Sequence, residues 1–251
     1  MAQALRIVVV YPDLLGTYGD RGNGIVLAGR ARRRGVAAEL VEATSDRALP
    51  RGDIYVLGGG EDAPQVQAAE LLARDGSLAE AVAAGAVVLA VCAGYQVLGT
   101  TFPAADGAPV PGLGLLEVAT AKGRRRRAVG EAAVAATIPG VGLLSGFENH
   151  AGTSVLGPGV RPLGALRHGV GNGDGTDGAW SGRVVGTYLH GPVLARNPAL
   201  ADTLLTWATG MESLPPLDDH REEALRAERL GAVLGRAGGR RLRRRGSGVD
   251  P

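Results

Sequence analysis

The chain has 251 residues, 45% hydrophobic and 21% charged, which suits one large α/β domain or two small ones with a substantial core and excludes disorder over most of its length. Its longest apolar runs, residues 7–10 and 86–91, are strand-length and far short of the roughly 20 residues of a bilayer-spanning helix, so a soluble protein is expected. The net charge is only +2 and aromatics make up 4%, so basic patches lack interleaved stacking residues and nucleic acid is not expected as a main partner.

The N-terminus enters an apolar strand at once, without the basic region, longer apolar core and cleavage site of a signal peptide. From there, residues 5–11 predict a buried strand, 21–34 a helix, 37–41 a strand, and 53–57 a strand ending in Gly58-Gly59-Gly60. Residues 66–84 predict one or two helices and 86–91 a further strand. This alternation implies βαβ units, a parallel sheet and functional loops at the carboxyl ends of its strands. From about residue 113 to 189 the character changes. Short strand-like pieces at 115–120, 128–136 and 183–189 lie between turns rich in Gly and Pro, which suits mixed or antiparallel pairing. Helices are expected at 198–209 and 218–234, closing a domain of residues 1–237. After Gly238 apolar periodicity is lost, and residues 238–251 predict a disordered basic tail. Positive charge is almost all arginine, Lys122 being the only lysine, and residues 30–34 read as a solvated helix end whose cations complement the dipole.

Cys92 is the only cysteine, so no internal disulfide can form, in keeping with a reducing cytosol. It stands where the strand at 86–91 meets a helix opened by Ala93-Gly94. A sharp strand-to-helix turn presents a side chain at the sheet edge, and a helix amino terminus favours a thiolate. Two readings stay open, an inert buried cysteine and a nucleophile. Gly58-Gly59-Gly60 ends the neighbouring strand and could aim backbone N–H groups, with that of Ala93, at one oxyanion, or could be a flexible turn. A thiol nucleophile needs a base. Of the four histidines, His220 and His168 read as solvated, His150 as a structural turn residue, and His190, after the apolar strand RVVGTYL, as the best base. YPDLLGTYGDRGN at 11–23 lacks the lysine and spacing of a phosphate loop, and reads as a structural turn with Asp20 as a helix cap.

Taken together, the strand-GGG unit, CAGYQ at 92–96 and TYLHGP around His190 resemble class I glutamine amidotransferases of the branch shared with cobyric acid synthases. YPDLLGTYGDRGN, RAVGE at 127–131, GFENHAG around His150 and GTYLHGPVLARNP at 186–198 narrow the resemblance to the glutaminase subunits of lipid II isoglutaminyl synthases, to about residue 235. The resemblance implies a flavodoxin-like three-layer α/β fold with a mixed, mostly parallel sheet. It implies Cys92 as nucleophile toward L-glutamine, His190 as base and then acid, Arg127 as grip on the substrate carboxylate, and Gly59 and Ala93 as backbone oxyanion donors. Gripping a carboxylate suits a guanidinium, which binds it bidentately. Most class I domains carry an acid two residues after the histidine; here that residue is Pro192, so a Cys-His dyad, or an acid borrowed from a partner subunit, is expected. No GxxxxGK[ST] is present, so no cofactor is expected in this chain. The implied partner is a MurT-like, Mur-ligase-family synthetase subunit that holds ATP and Mg and amidates the D-glutamate of lipid II. Rival readings are a glutaminase for another ligase, such as a cobyric-acid-type amidation, and a catalytically silent ligase-stabilising subunit.

Overall fold

In a computed structural model, described for residues 4–123 and 126–245, the first half of the chain builds four of the six strands of the sheet that carries the site. It runs β1 (Leu5–Val10), α1 (Gly22–Arg33), β2 (Ala38–Ala43), β3 (Ile54–Leu57), α2 (Asp62–Asp75), α3 (Ser77–Ala83), β4 (Val87–Val91) and α4 (Ala93–Leu98). Strands β3 and β4 are buried at every position, which is why they read as continuous apolar runs rather than as alternating patterns. The region expected as one or two helices is two, broken at Gly76, whose φ of 72° is the left-handed conformation that glycine adopts without strain.

The second half continues as β5 (Thr101–Pro103), β6 (Pro109–Pro111), β7 (Val118–Lys122), β8 (Ala128–Ala136), β9 (Leu143–His150), β10 (Gly152–Leu156), β11 (Gly164–His168), β12 (Thr176–Asp177), β13 (Ala179–Ser181) and β14 (Val184–Thr187). Three helices follow: α5 (Val193–Arg196), α6 (Pro198–Thr209) and α7 (His220–Arg245). The expected tail thus overlaps a helix that runs on to Arg245, while residues 246–251, and Arg124 and Arg125 of the arginine run, lie outside the described residues.

The central sheet has the order β13-β14-β4-β3-β1-β2. Five of its strands are parallel and only the edge strand β13 is antiparallel, giving the mixed, mostly parallel sheet expected. The chain leaves β1 outward to β2 and β3 in the opposite direction to β4. Right-handed crossovers then place α1 on one face and α2 and α3 on the other, the three-layer arrangement. Two four-stranded sheets, β10-β7-β5-β6 and β12-β11-β8-β9, come from the Gly- and Pro-rich half, antiparallel except where β5 meets β7. Because β4, β3, β1 and β14 run parallel, the loops after all four open on one edge of the sheet.

The arginines expected as a solvated helix end are not all solvated. The Arg30 side chain is 3% exposed and Arg34's is 2%. Arg30 pairs with Asp202 of α6 at 2.7 Å and with Asp219 just before α7 at 2.6 Å, and Arg34 pairs with Asp202 at 2.7 Å. A guanidinium with five donors can bind two carboxylates in a fork, so these residues fasten both C-terminal helices to α1.

Candidate active site

Cys92 sits one residue past β4 with φ 52° and ψ −106°, an outlier for a non-glycine residue and the backbone signature of a sharp strand-to-helix elbow. The strain is held by short, crowded neighbours. The N–H of Cys92 donates to Thr187 O at 2.8 Å and that of Gly94 to Gly58 O at 3.0 Å, while a Cβ on Gly94 would fall 2.7 Å from Leu57 Cβ. Cys92 lines a cleft with Gly60, Ala93, Gln96, Arg127 and Asn149. Its thiol is not acidified, contrary to what a helix amino terminus suggests. Burial, helped by the negative field of Asp20, pushes it up to about 12, against the Ala93 N–H and Arg127, which pull it down. The helix behind it is only six residues long, and desolvation dominates.

His190 follows the end of β14, three residues beyond Thr187. It is held there by a two-way bridge to β9: His190 N–H donates to Phe147 O at 2.8 Å and Phe147 N–H to His190 O at 3.2 Å. Its ring is fully buried, stacked on Phe147 and touched edge-on by Tyr18. The orienting acid is inside the chain. Asp20, in the loop after β1 and fully buried, places Oδ2 2.8 Å from His190 Nδ1. Neither the expected dyad nor a borrowed acid is needed, because β1 and β14 open on the same edge of the sheet. Holding Nδ1 to the carboxylate leaves Nε2 as the free nitrogen, and it is buried without a partner. No hydrogen bond among the described residues joins Nε2 to the Cys92 thiol.

The same carboxylate corrects one oxyanion donor. Asp20 Oδ2 accepts the N–H of Gly59 at 3.0 Å, so that amide is turned to the acid rather than to the cleft. Gly59 must still be glycine, since a Cβ there would meet His190 Cε1 at 2.8 Å. Gly60 and Ala93, not Gly59, line the cleft.

Arg127 lies on the cleft, while its neighbour Arg126 lines an adjoining hollow. Arg127 Nε donates to Asn149 Oδ1 at 2.5 Å, and Asn149 Nδ2 donates to the Tyr18 hydroxyl at 2.7 Å. The floor is a buried polar chain. Gln65 Nε2 donates to Gln96 Oε1 at 2.9 Å, Gln96 Nε2 to the Tyr188 hydroxyl at 3.1 Å, and that hydroxyl exchanges a hydrogen bond with Ser154 at 2.8 Å. His150 is not a turn residue. It ends β9, is 4% exposed, and lines the cleft beside Arg127 and Asn149. His168 and His220 are exposed, as expected. Asp20, Gln65, Gln96, Asn149 and His150 were not foreseen as site residues. Only the position of the YGDRGN loop at the carboxyl end of β1 could have signalled Asp20.

Among the described residues, no group of three or more His, Cys, Asp and Glu gathers as a metal site, and no helix is long and apolar enough to cross a membrane. The family model of the CobB/CobQ-like glutamine amidotransferase domain matches residues 6–198. The chain is 33% identical over 233 residues to the lipid II isoglutaminyl synthase (glutamine-hydrolyzing) subunit GatD of Staphylococcus aureus, covering 90% of this chain and 94% of that one. It is 34% identical over 209 residues to the same-named subunit of Streptococcus pneumoniae, covering 81% and 80%. A crystal structure of a glutamine amidotransferase superposes with a TM-score of 0.57 at 24% identity, covering 80% of this chain and 98% of that one, and shares its fold. The chain therefore belongs to the CobB/CobQ-like glutamine amidotransferases, in the GatD group.

Proposed function

We propose that this glutamine amidotransferase hydrolyses L-glutamine through a Cys92 thioester and passes the ammonia to a separate MurT-like, Mur-ligase-family synthetase that amidates the D-glutamate of lipid II in the cytoplasm. The observation that carries the chemistry is the buried Asp20–His190 pair, with a free Nε2 on the same sheet edge as a strained Cys92. A thiol held near 12 is neutral at physiological pH, so attack requires a base rather than a resting thiolate. His190 Nε2 takes the thiol proton and sulfur bonds to the side-chain carbonyl carbon of glutamine. The oxyanion that forms lies on the N–H groups of Ala93 and Gly60. The imidazolium, steadied by Asp20, returns the proton to the leaving amine as ammonia departs. A water, deprotonated by the same nitrogen, then cleaves the thioester and frees glutamate. Arg127 grips the substrate carboxylate, and Glu61 and Asp62 on the cleft rim suit its ammonium.

ATP and Mg belong, in this reading, to the synthetase subunit, which supplies acyl activation for the amidation step. The relatives named for lipid II isoglutaminyl synthase, matched nearly end to end, support that substrate. The test measures glutamate release and lipid II amidation by the chain together with a MurT-like subunit. The expected result is glutamine-dependent amidation that Cys92→Ala abolishes while ammonium salts restore it. Glutamate release that survives Cys92→Ala would overturn the chemistry. Glutaminase activity without lipid II amidation would point instead to another ligase.

A further inference from the structure

Two segments that meet at the base run side by side in a fixed register. Asp20 Oδ2 lies 2.8 Å from His190 Nδ1. Gly22 lies so close to Pro192 that a Cβ would fall 2.3 Å from the ring Cγ. Asn23 Oδ1 accepts the N–H of Leu194 at 3.0 Å. The turn carrying the acid is itself closed by the Asn23 N–H on Asp20 O at 2.9 Å. Asn23 is therefore bonded both to the turn that holds the acid and to the loop that follows the base, and it is fully buried.

Among the described residues, three buried side-chain polar atoms have no hydrogen-bond partner: His190 Nε2, Asp20 Oδ1 and Asn23 Nδ2. The first is the nitrogen the chemistry uses. The other two are an acceptor and a donor three residues apart in one turn, and buried polar groups are rarely left unmatched without a reason. We propose that Asn23 is a positioning residue for the Asp20–His190 pair, its amide serving the second carboxylate oxygen through one bridging water while its carbonyl anchors the loop after His190. A donor held toward that oxygen fixes the rotation of the carboxylate, so that Oδ2 keeps facing His190 Nδ1 and the N–H of Gly59. The YGDRGN motif then acts as one device, with Asp20 as the acid, Gly22 as the space for Pro192 and Asn23 as the brace.

The proposal rests on the glutaminase reading, and the experiment separates the two. Glutamate release is measured against pH for the full chain in complex with its synthetase subunit, as wild type, Asn23→Ala, Asn23→Asp and Cys92→Ala. Asn23→Ala is expected to lower kcat about 10- to 100-fold with KM for glutamine within about twofold, the range typical of orienting partners behind a reactive group. Asn23→Asp keeps the acceptor for Leu194 and so guards against simple misfolding. Its added negative charge beside the pair is expected to change the pH profile of kcat/KM from that of wild type. Wild-type pH profiles in both variants, or a fall in Tm without a change in kcat, would overturn the proposal while leaving the glutaminase reading intact. Activity that survives Cys92→Ala would overturn both.

Discussion

Among the described residues, two buried histidine–carboxylate pairs lie close to the cleft, and they differ in what is left over. His190 gives one nitrogen to Asp20 and keeps the other free. His150 lies 3.1 Å from Gly152 O through Nδ1 and 3.4 Å from Glu148 Oε2 through Nε2, so both of its nitrogens are engaged. Each ring is stacked on an aromatic neighbour, His190 on Phe147 at 5.2 Å and His150 on Tyr188 at 3.8 Å. The carboxylates differ in the same way. Glu148 is saturated by the N–H groups of Val170 and Gly171, whereas Asp20 keeps one oxygen unmatched. A base needs a free lone pair. In the proposed mechanism the first pair serves proton transfer, whereas the second holds β9 against the glycine-rich loop before β12.

Substitution should separate the pairs by effect on rate. His190→Ala is expected to lower kcat for glutamate release by about 10³-fold or more with little change in KM, as removal of a base from a nucleophile–base unit does. Asp20→Asn is expected to cost on the order of 10²- to 10³-fold in kcat, because the imidazole loses the carboxylate that orients it through Nδ1. His150→Gln should leave kcat within about tenfold and instead lower stability by about 1–3 kcal/mol, the cost of a buried carboxylate losing a partner. Steady-state kinetics and denaturant melts on the same three variants check this ordering. If His150→Gln falls as far in kcat as His190→Ala, the distinction between the pairs collapses.

How much of this was legible from the residues follows the same division. Strands buried on both faces announce themselves as apolar runs, so 86–91 leads to β4 and 53–57 to β3 within a residue. The elbow at Cys92 and the histidine near the end of β14 follow from those runs. Strand β9 was invisible because, beside Leu144 and Gly146, the side chains it buries are polar, Ser145, Glu148 and His150, and hydrophobic period carries no trace of groups buried in pairs. Arg30 was misread for the same reason: a buried arginine with two aspartate partners looks, in one dimension, like a solvated one. Asp20 lies 170 positions from His190, and only the adjacency of strand ends in a parallel sheet brings them together.

The smallest expected effect sharpens the comparison through pH. Burial raises the Glu148 carboxyl, but His150 and the N–H groups of Gly171 and Val170 outweigh it and hold the group below the ordinary range. A carboxyl with a depressed folded pKa binds protons less readily folded than unfolded. Its contribution is therefore fully present above the unfolded value of 4.5 and is lost as pH falls through the lower folded value. Glu148→Gln should remove that part of the acid dependence, so that wild type and variant differ most near neutrality and converge as pH drops below 4.5, in denaturant titrations at fixed pH. Glutaminase kcat at neutral pH should stay within about tenfold of wild type, since the saturated carboxylate touches neither the thiol nor the free nitrogen of His190. A variant that keeps the wild-type acid profile would show that the Glu148 pair is not ionised as drawn, and the contrast with Asp20 would then rest on geometry alone.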